Sequence, residues 1–144
     1  MTELTETTTE NTRTVEVFLN ALQDVDYETA DACLDDNLVY ENVGLPTIHG
    51  RGAAMKLFRR MDGGKTAFEV KIHRIAADGA AVLTERTDAL IVGPLRLQFW
   101  VCGVFEVHDG RITLWRDYFD FFDMFKATAR GLAALVLPSL KATF

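Results

Sequence analysis

The chain has 144 residues, 49% of them hydrophobic and 25% charged, with 15 basic against 21 acidic side chains and a formal net charge of −6. A single domain of this size buries enough surface to fold without disulfides or metals, and the acidic balance argues against a nucleic acid or an anionic membrane as partner, since both need a basic face. No apolar run approaches the roughly 20 residues of a membrane helix, and the Thr/Glu-rich start lacks the basic-then-apolar pattern of a secretion signal, so a cytoplasmic location is expected.

Residues 1–13 are mostly Thr and Glu, with Leu4 the large apolar residue. They bury too little to offset their ordering entropy and read as a disordered tail, leaving 14–144 as one domain. Thr12 or Thr14 can cap an amphipathic helix in which Val15, Phe18, Leu19 and Leu22 recur at i, i+3, i+4 and i+7. Asp26 can cap a second, short helix with Ala30, Cys33 and Leu34 on its inner side. Leu38–Asn42 reads as a strand and 44–50 as a loop opened by Gly44-Leu45-Pro46. Ala54, Leu57, Phe58 and Met61 mark a third helix, stopped by Gly63-Gly64.

At Ala67 the hydrophobic period changes from 3.6 to 2. Phe68, Val70 and Ile72 alternate with Glu69, Lys71 and His73. The Asp78-Gly79 turn leads into a strand over Val82–Val92, which Gly93-Pro94 ends. Leu95–His108 is the next strand, and Asp109-Gly110 turns it into Ile112–Asp120. Helices first and strands after make the class α+β, with an antiparallel meander curling against the helices into a cone with an internal pocket. The apolar stretches Phe121–Phe125 and Ala129–Leu137 are expected to pack on the sheet or plug the cone. Cys33 and Cys102 lie far apart in apolar surroundings and read as reduced thiols.

The chemistry is in charges on faces that should be apolar. Val82, Thr84, Arg86, Asp88 and Leu90 share one strand face, so Arg86 and Asp88 form an opposite-charge pair at i, i+2. Asp117 shares a face with Trp115 and Phe119, and Tyr40 shares one with Asn42. Each has a plain alternative, namely a surface ion pair, an outward-facing carboxylate or a strand end. Together they offer two carboxylates, a guanidinium, a phenol and a carboxamide, enough for acid–base chemistry on a held water. His49, His73 and His108 have no metal-ligand spacing, and neither a nucleophile elbow nor a phosphate-binding loop is present in the sequence. No metal and no cofactor is expected.

These residues resemble the limonene-1,2-epoxide hydrolase family, one of the cone-shaped folds grouped with nuclear transport factor 2 and ketosteroid isomerase. The likeness rests on three stretches. They are Tyr40-Glu41-Asn42 with Leu45-Pro46 and Gly50-Arg51, then Thr84-Glu85-Arg86-Thr87-Asp88, then Gly110-Arg111-Ile112-Thr113 through Trp115-Arg116-Asp117-Tyr118-Phe119-Asp120. The resemblance implies direct, cofactor-independent hydration of a hydrophobic epoxide to a vicinal diol. It assigns Asp117 as general base, Tyr40 and Asn42 as water holders, Asp88 as general acid and Arg86 as the bridge between the carboxylates. It implies an apolar substrate pocket that includes Leu19, Leu22, Leu90, Phe99, Val101 and Phe119, and a homodimer. A terpene or lipid epoxide is the expected substrate class, in a detoxifying role, and the apolar tail after Asp120 suggests one larger than a small monoterpene epoxide. The alternatives are an isomerase or dehydratase using one carboxylate, and a non-enzymatic binding module on the same fold.

Overall fold

The computed structural model describes residues 2–61 and 64–144. Three helices precede the main run of strands: α1 (Thr2–Gln23), α2 (Tyr27–Ala32) and α3 (Arg51–Arg59). Between α2 and α3 lie β1 (Leu34–Asn42) and the two-residue β2 (Ile48–His49). Then follow β3 (Thr66–Asp78), β4 (Ala81–Val92), β5 (Leu95–His108) and β6 (Arg111–Phe119). The chain ends in α4 (Phe121–Val136) and a 3₁₀ turn over Pro138–Leu140. The class is α+β, as the periodicity predicts.

Among the described residues the strands form one mixed sheet in the order β2-β1-β6-β5-β4-β3. The meander β3–β6 is antiparallel throughout, while β1 pairs with β6 in parallel. Register shifts at Ile72/Arg74 and Glu106/Val107 act as bulges, and bulges bend a strand and increase its twist. The sheet therefore curves without closing. Helices α1 and α3 bury Phe18, Leu22, Met55 and Phe58 against Trp115, Phe105 and Val70. Beside this packed core the inner side of the sheet keeps a hollow.

Three expectations need correction. The segment 1–13 is not a tail over its described part, because α1 runs from Thr2. Once the buried turn at Val15–Leu22 is anchored, each further residue adds a hydrogen bond without a new nucleation cost. Thr9, Thr12 and Thr14 hydroxyls also donate to carbonyls three or four residues back. Asn11 is buried and donates from Nδ2 to the Gly79 carbonyl at 3.0 Å, which ties the helix to the β3–β4 turn. Second, the loop over 44–50 contains β2, paired with Val39 and Tyr40. Third, α3 ends at Arg59, before the glycines, and Gly63 lies outside the described residues. Asp26 caps α2 as predicted, accepting from the Thr29 amide at 3.2 Å.

The C-terminal segment is one helix packed along β5. Ala127 and Gly131 are its buried residues, and a methyl group added at Gly131 would lie 2.7 Å from the Arg96 carbonyl oxygen. The small face of α4 thus sits directly on the strand. The last residues fold back over the same strand. Gln98 donates to the Thr143 carbonyl at 2.9 Å, and the Arg96 guanidinium lies 5.0 Å from the Phe144 ring centroid.

Candidate active site

The parallel pairing of β1 with β6 sets Tyr40 beside Trp115 and Asn42 beside Asp117. On the other side of β6, β5 places Gly103 opposite Asp117, and β4 places Thr84 opposite Gly103. Gly103 carries no side chain, so Arg86 on β4 reaches across β5 to Asp117 on β6. Three strands then converge on one point of the concave face. Arg116, next to Asp117, turns the opposite way and pairs with Glu41 at 2.8 Å, which leaves Asp117 facing inward.

Arg86 is 0% exposed, and Asp88 and Asp117 are 3% exposed each. The guanidinium grips both carboxylates in two-point fashion. Nε and Nη2 donate to Asp88 Oδ1 and Oδ2 at 3.1 and 2.8 Å. Nη1 and Nη2 donate to Asp117 Oδ1 and Oδ2 at 3.2 and 2.9 Å. The Trp115 indole adds a third donor to Asp117, from Nε1 to Oδ1 at 2.8 Å. Trp115 is itself stacked between Tyr40 and Phe105, with centroids at 4.3 and 5.6 Å, so its N–H is fixed in place. Among the described residues no buried side-chain nitrogen or oxygen lacks a hydrogen-bond partner.

Electrostatics follow from this burial. Burial pushes the Asp117 carboxyl above the ordinary carboxylate value; the Arg86 charge and hydrogen bonds pull it back only in part, while the Asp88 charge adds to the rise. Burial would lower the Arg86 pKa, but the two carboxylates outweigh it and hold the guanidinium firmly charged. Burial also pushes the Tyr40 phenol well up, with the Asp117 charge adding to it, so the phenol stays protonated and can donate. An Asp with a raised pKa is a stronger base than an exposed one.

A cavity of about 320 Å³ opens over this cluster. Tyr40, Asn42, Asp88 and Asp117 are its polar wall, while Arg86 stays behind them, fully buried. Leu22, Leu90, Phe99 and Phe119 line the cavity as expected. Leu19 and Val101 do not line it. Leu19 sits one turn earlier on α1 and is closed into the helix–sheet core, and Val101 is covered in a second cluster with Phe99 and Ala127. Phe58, Met61 and Phe68 also line the cavity, as do Leu45 and Leu57, none of which the sequence pattern marked as site residues. The pattern also left unassigned Trp115, Thr84 and Gly103. A glycine in mid-strand with no turn nearby was the available signal for Gly103. From the apolar tail, Phe121 and Met124 reach the cavity, whereas Phe122 and Phe125 point outward at 66% and 68% exposure. Cys33 is buried and Cys102 half-buried; both thiols are free, and burial raises both.

A buried carboxylate–guanidinium–carboxylate bridge with a phenol and an amide beside it, opening on an apolar cavity, is the arrangement the sequence resemblance implied. The catalytic domain of limonene-1,2-epoxide hydrolase matches residues 9–130. The chain belongs to the limonene-1,2-epoxide hydrolase family. Epoxide hydrolase EphG of Mycobacterium tuberculosis is 69% identical over an alignment of 149 positions, spanning 99% of each chain. The solved structure of an M. tuberculosis limonene-1,2-epoxide hydrolase-like epoxide hydrolase superposes with a TM-score of 0.92 at 71% identity, covering 95% of this chain and 97% of that one. A nuclear transport factor 2-like protein from Burkholderia xenovorans shares the fold at 20% identity, with a TM-score of 0.67 over 84% of this chain and 97% of its own. Epoxide hydrolysis is the activity that family membership carries.

Proposed function

We propose that the chain hydrates a hydrophobic epoxide directly, with water as nucleophile and no cofactor. Tyr40 and Asn42 hold the water, and Asp117 takes its proton as the oxygen attacks an oxirane carbon. Asp88 gives its proton to the oxirane oxygen as the C–O bond breaks. Two O–H bonds break, in water and in Asp88, and two form, on Asp117 and on the oxirane oxygen. A new C–O bond forms at the attacked carbon while the electron pair of the broken ring C–O bond stays on oxygen, and the product is a vicinal diol. Asp117 ends the turnover protonated, and the proton returns to Asp88 within the network that Arg86 holds together. With one proton shared between the carboxylates, the buried groups sum to zero charge, which suits a cavity with an apolar wall.

The observation that carries this reading is the joint two-point grip of Arg86 on Asp88 and Asp117 at the floor of the cavity. A lone catalytic base has no use for a guanidinium shared with a second carboxylate. The substrate class is a terpene or lipid epoxide whose body fills the hollow bounded by Leu22, Phe58, Phe68 and Phe99. We further read the protein as a homodimer, supported by exposed Trp100, Tyr118, Phe122 and Phe125, and as cytoplasmic. Sedimentation at the mass of one chain would overturn that part.

The test is diol formation from a panel of terpene, fatty-acyl and sterol epoxides by wild type, Asp117→Asn and Asp88→Asn. Both variants are expected to lose activity by at least ~10²-fold, the lower end of a positioned proton transfer. A variant that keeps more than about a tenth of wild-type kcat removes that residue from its role, because loss of a working acid or base costs more than this.

A further inference from the structure

Arg86 has five N–H donors. Four go to the two carboxylates, and the fifth, on Nη1, goes to Thr84 Oγ1 at 3.1 Å. Thr84 is 4% exposed and lies two residues before Arg86 on the same face of β4. Its hydroxyl accepts from Nη1 and has the Gly103 carbonyl at 3.4 Å, a long contact, as the acceptor for its own hydrogen. A methyl group added at Gly103 would stand 2.5 Å from Arg86 Nη1, 2.6 Å from Asp117 Oδ1 and 2.9 Å from Thr84 Oγ1. The bare backbone of β5 is therefore the seat on which the three groups meet.

We propose that Thr84 is a positioning residue for the reaction: its hydroxyl, seated over Gly103, sets the angle at which Arg86 joins the acid to the base. A neutral acceptor is needed at this place. A third carboxylate would unbalance the buried charge, and an apolar side chain would leave a buried N–H without a partner. The longest of the four carboxylate contacts, Nη1 to Asp117 Oδ1 at 3.2 Å, shares its nitrogen with Thr84. Loss of the hydroxyl lets the guanidinium turn about its bonds to Asp88, and the Asp117 side of the bridge is the one that loosens.

Asp117 is the group whose titration reports this. It is faced by Arg86 and Asp88 from β4, by Tyr40 from β1 and by the Trp115 indole on its own strand. Cys102 lies on the reverse face of β5, and α1 and α3 contribute apolar Leu22 and Phe58 to the cavity. Burial raises the Asp117 carboxyl and Arg86 restrains it. A looser Arg86 restrains it less, so the carboxyl rises further and the acidic limb of the kcat profile moves to higher pH.

The proposal rests on the assignment of Asp117 as base and Asp88 as acid. The experiment compares Thr84→Val and Thr84→Ser in the full chain, with Asp117→Asn as reference. Thr84→Val is expected to lower kcat by about tenfold or more, with KM little changed, because a small misplacement of a catalytic group is costly. Its acidic limb moves up in pH. Thr84→Ser keeps the hydroxyl and restores both rate and profile. Should Val disturb folding, Thr84→Ala removes the same hydroxyl with less bulk and is read the same way. Wild-type kcat and pH profile in the hydroxyl-free variant, beside an inactive Asp117→Asn, would overturn the positioning role. Equal losses in Val and Ser would overturn it too, since the methyl packing rather than the hydroxyl would then matter. An Asp117→Asn variant at the wild-type rate would instead bring down the acid–base reading beneath it.

Discussion

Arg86 and its two carboxylates are the costliest groups in the chain to bury, and each is stable there only because of the others. Removing a partner from a buried ionic group costs ~3–5 kcal/mol, since it strands charge in a poor solvent. Arg86→Ala strands two carboxylates at once, and denaturant unfolding should show a loss at the upper part of that range. Asp117→Asn behaves differently. Arg86 keeps Asp88 as counter-charge, and the amide keeps an oxygen toward Trp115. The folded-state pKa of Asp117 lies above its ordinary 3.8. Its contribution to stability is thus complete below the unfolded carboxylate's pKa and is lost as pH rises through the folded one. Asparagine carries no such penalty. The melting temperature of Asp117→Asn should match or exceed that of wild type near neutral pH, and the difference in its favour should shrink as pH falls toward 4. A difference that grows on acidification would show that the ionised form is the one the fold prefers.

At the level of elements, the meander was legible because its signal is local. Alternation from Phe68 to Phe119, two Asp-Gly turns and Gly93-Pro94 fix β3–β6 within a residue or two. The pairing at i, i+2 put Arg86 and Asp88 on one face without any knowledge of the fold. The adjacency of Asn42 and Asp117 was not legible in that way, because it depends on a parallel pairing between β1 and β6 across most of the chain. Only the family resemblance brought those residues together beforehand. The N-terminal helix was legible from Val15 to Leu22, but its start was not, because composition undervalues propagation from a buried turn and the tie from Asn11 to Gly79. The role of α4 was half legible: its apolarity was plain, but the buried Ala127 and Gly131 decide which face meets β5. Gly131→Ala should therefore push α4 away from β5, at about 1–3 kcal/mol for overpacking. Because α4 carries Phe121 and Met124 into the cavity wall, KM for a hydrophobic epoxide should rise more than kcat falls. Steady-state kinetics beside a thermal melt separates this from simple unfolding. An unchanged KM in a destabilised variant would mean that α4 does not shape the substrate site.

Taken as a whole molecule, the curved sheet and its helices form a vessel with an apolar wall and one polar corner. In the proposed reaction the wall holds the body of a hydrophobic epoxide, and the corner meets the oxirane ring, whose strain already supplies part of the driving force. What remains is a better nucleophile and a protonated leaving oxygen. Two routes could use two carboxylates. In one, a carboxylate attacks carbon to give an ester, which a second water must then hydrolyse. In the other, water attacks at once. Asp117 is poorly placed for the first. Both its oxygens are engaged by Arg86, and Trp115 holds Oδ1 as well, so attack on carbon would give up charge-assisted bonds. Tyr40 and Asn42 line the cavity beside it as polar groups, and Asn42 lies next to Asp117 in the sheet. His73 hydrogen-bonds Thr87, His108 pairs with Glu106 and His49 stands opposite Val39, and all three are exposed, so none is set to activate a water on an ester at Asp117. These contacts support the proposed direct attack. Under single-turnover conditions in ¹⁸O-water, with enzyme in excess, the label should appear in the first diol formed. Mass spectrometry of the protein should find none in the peptides that carry Asp88 and Asp117. An unlabelled first-turnover diol together with a labelled aspartate would establish the ester route and reverse the roles given to these two residues.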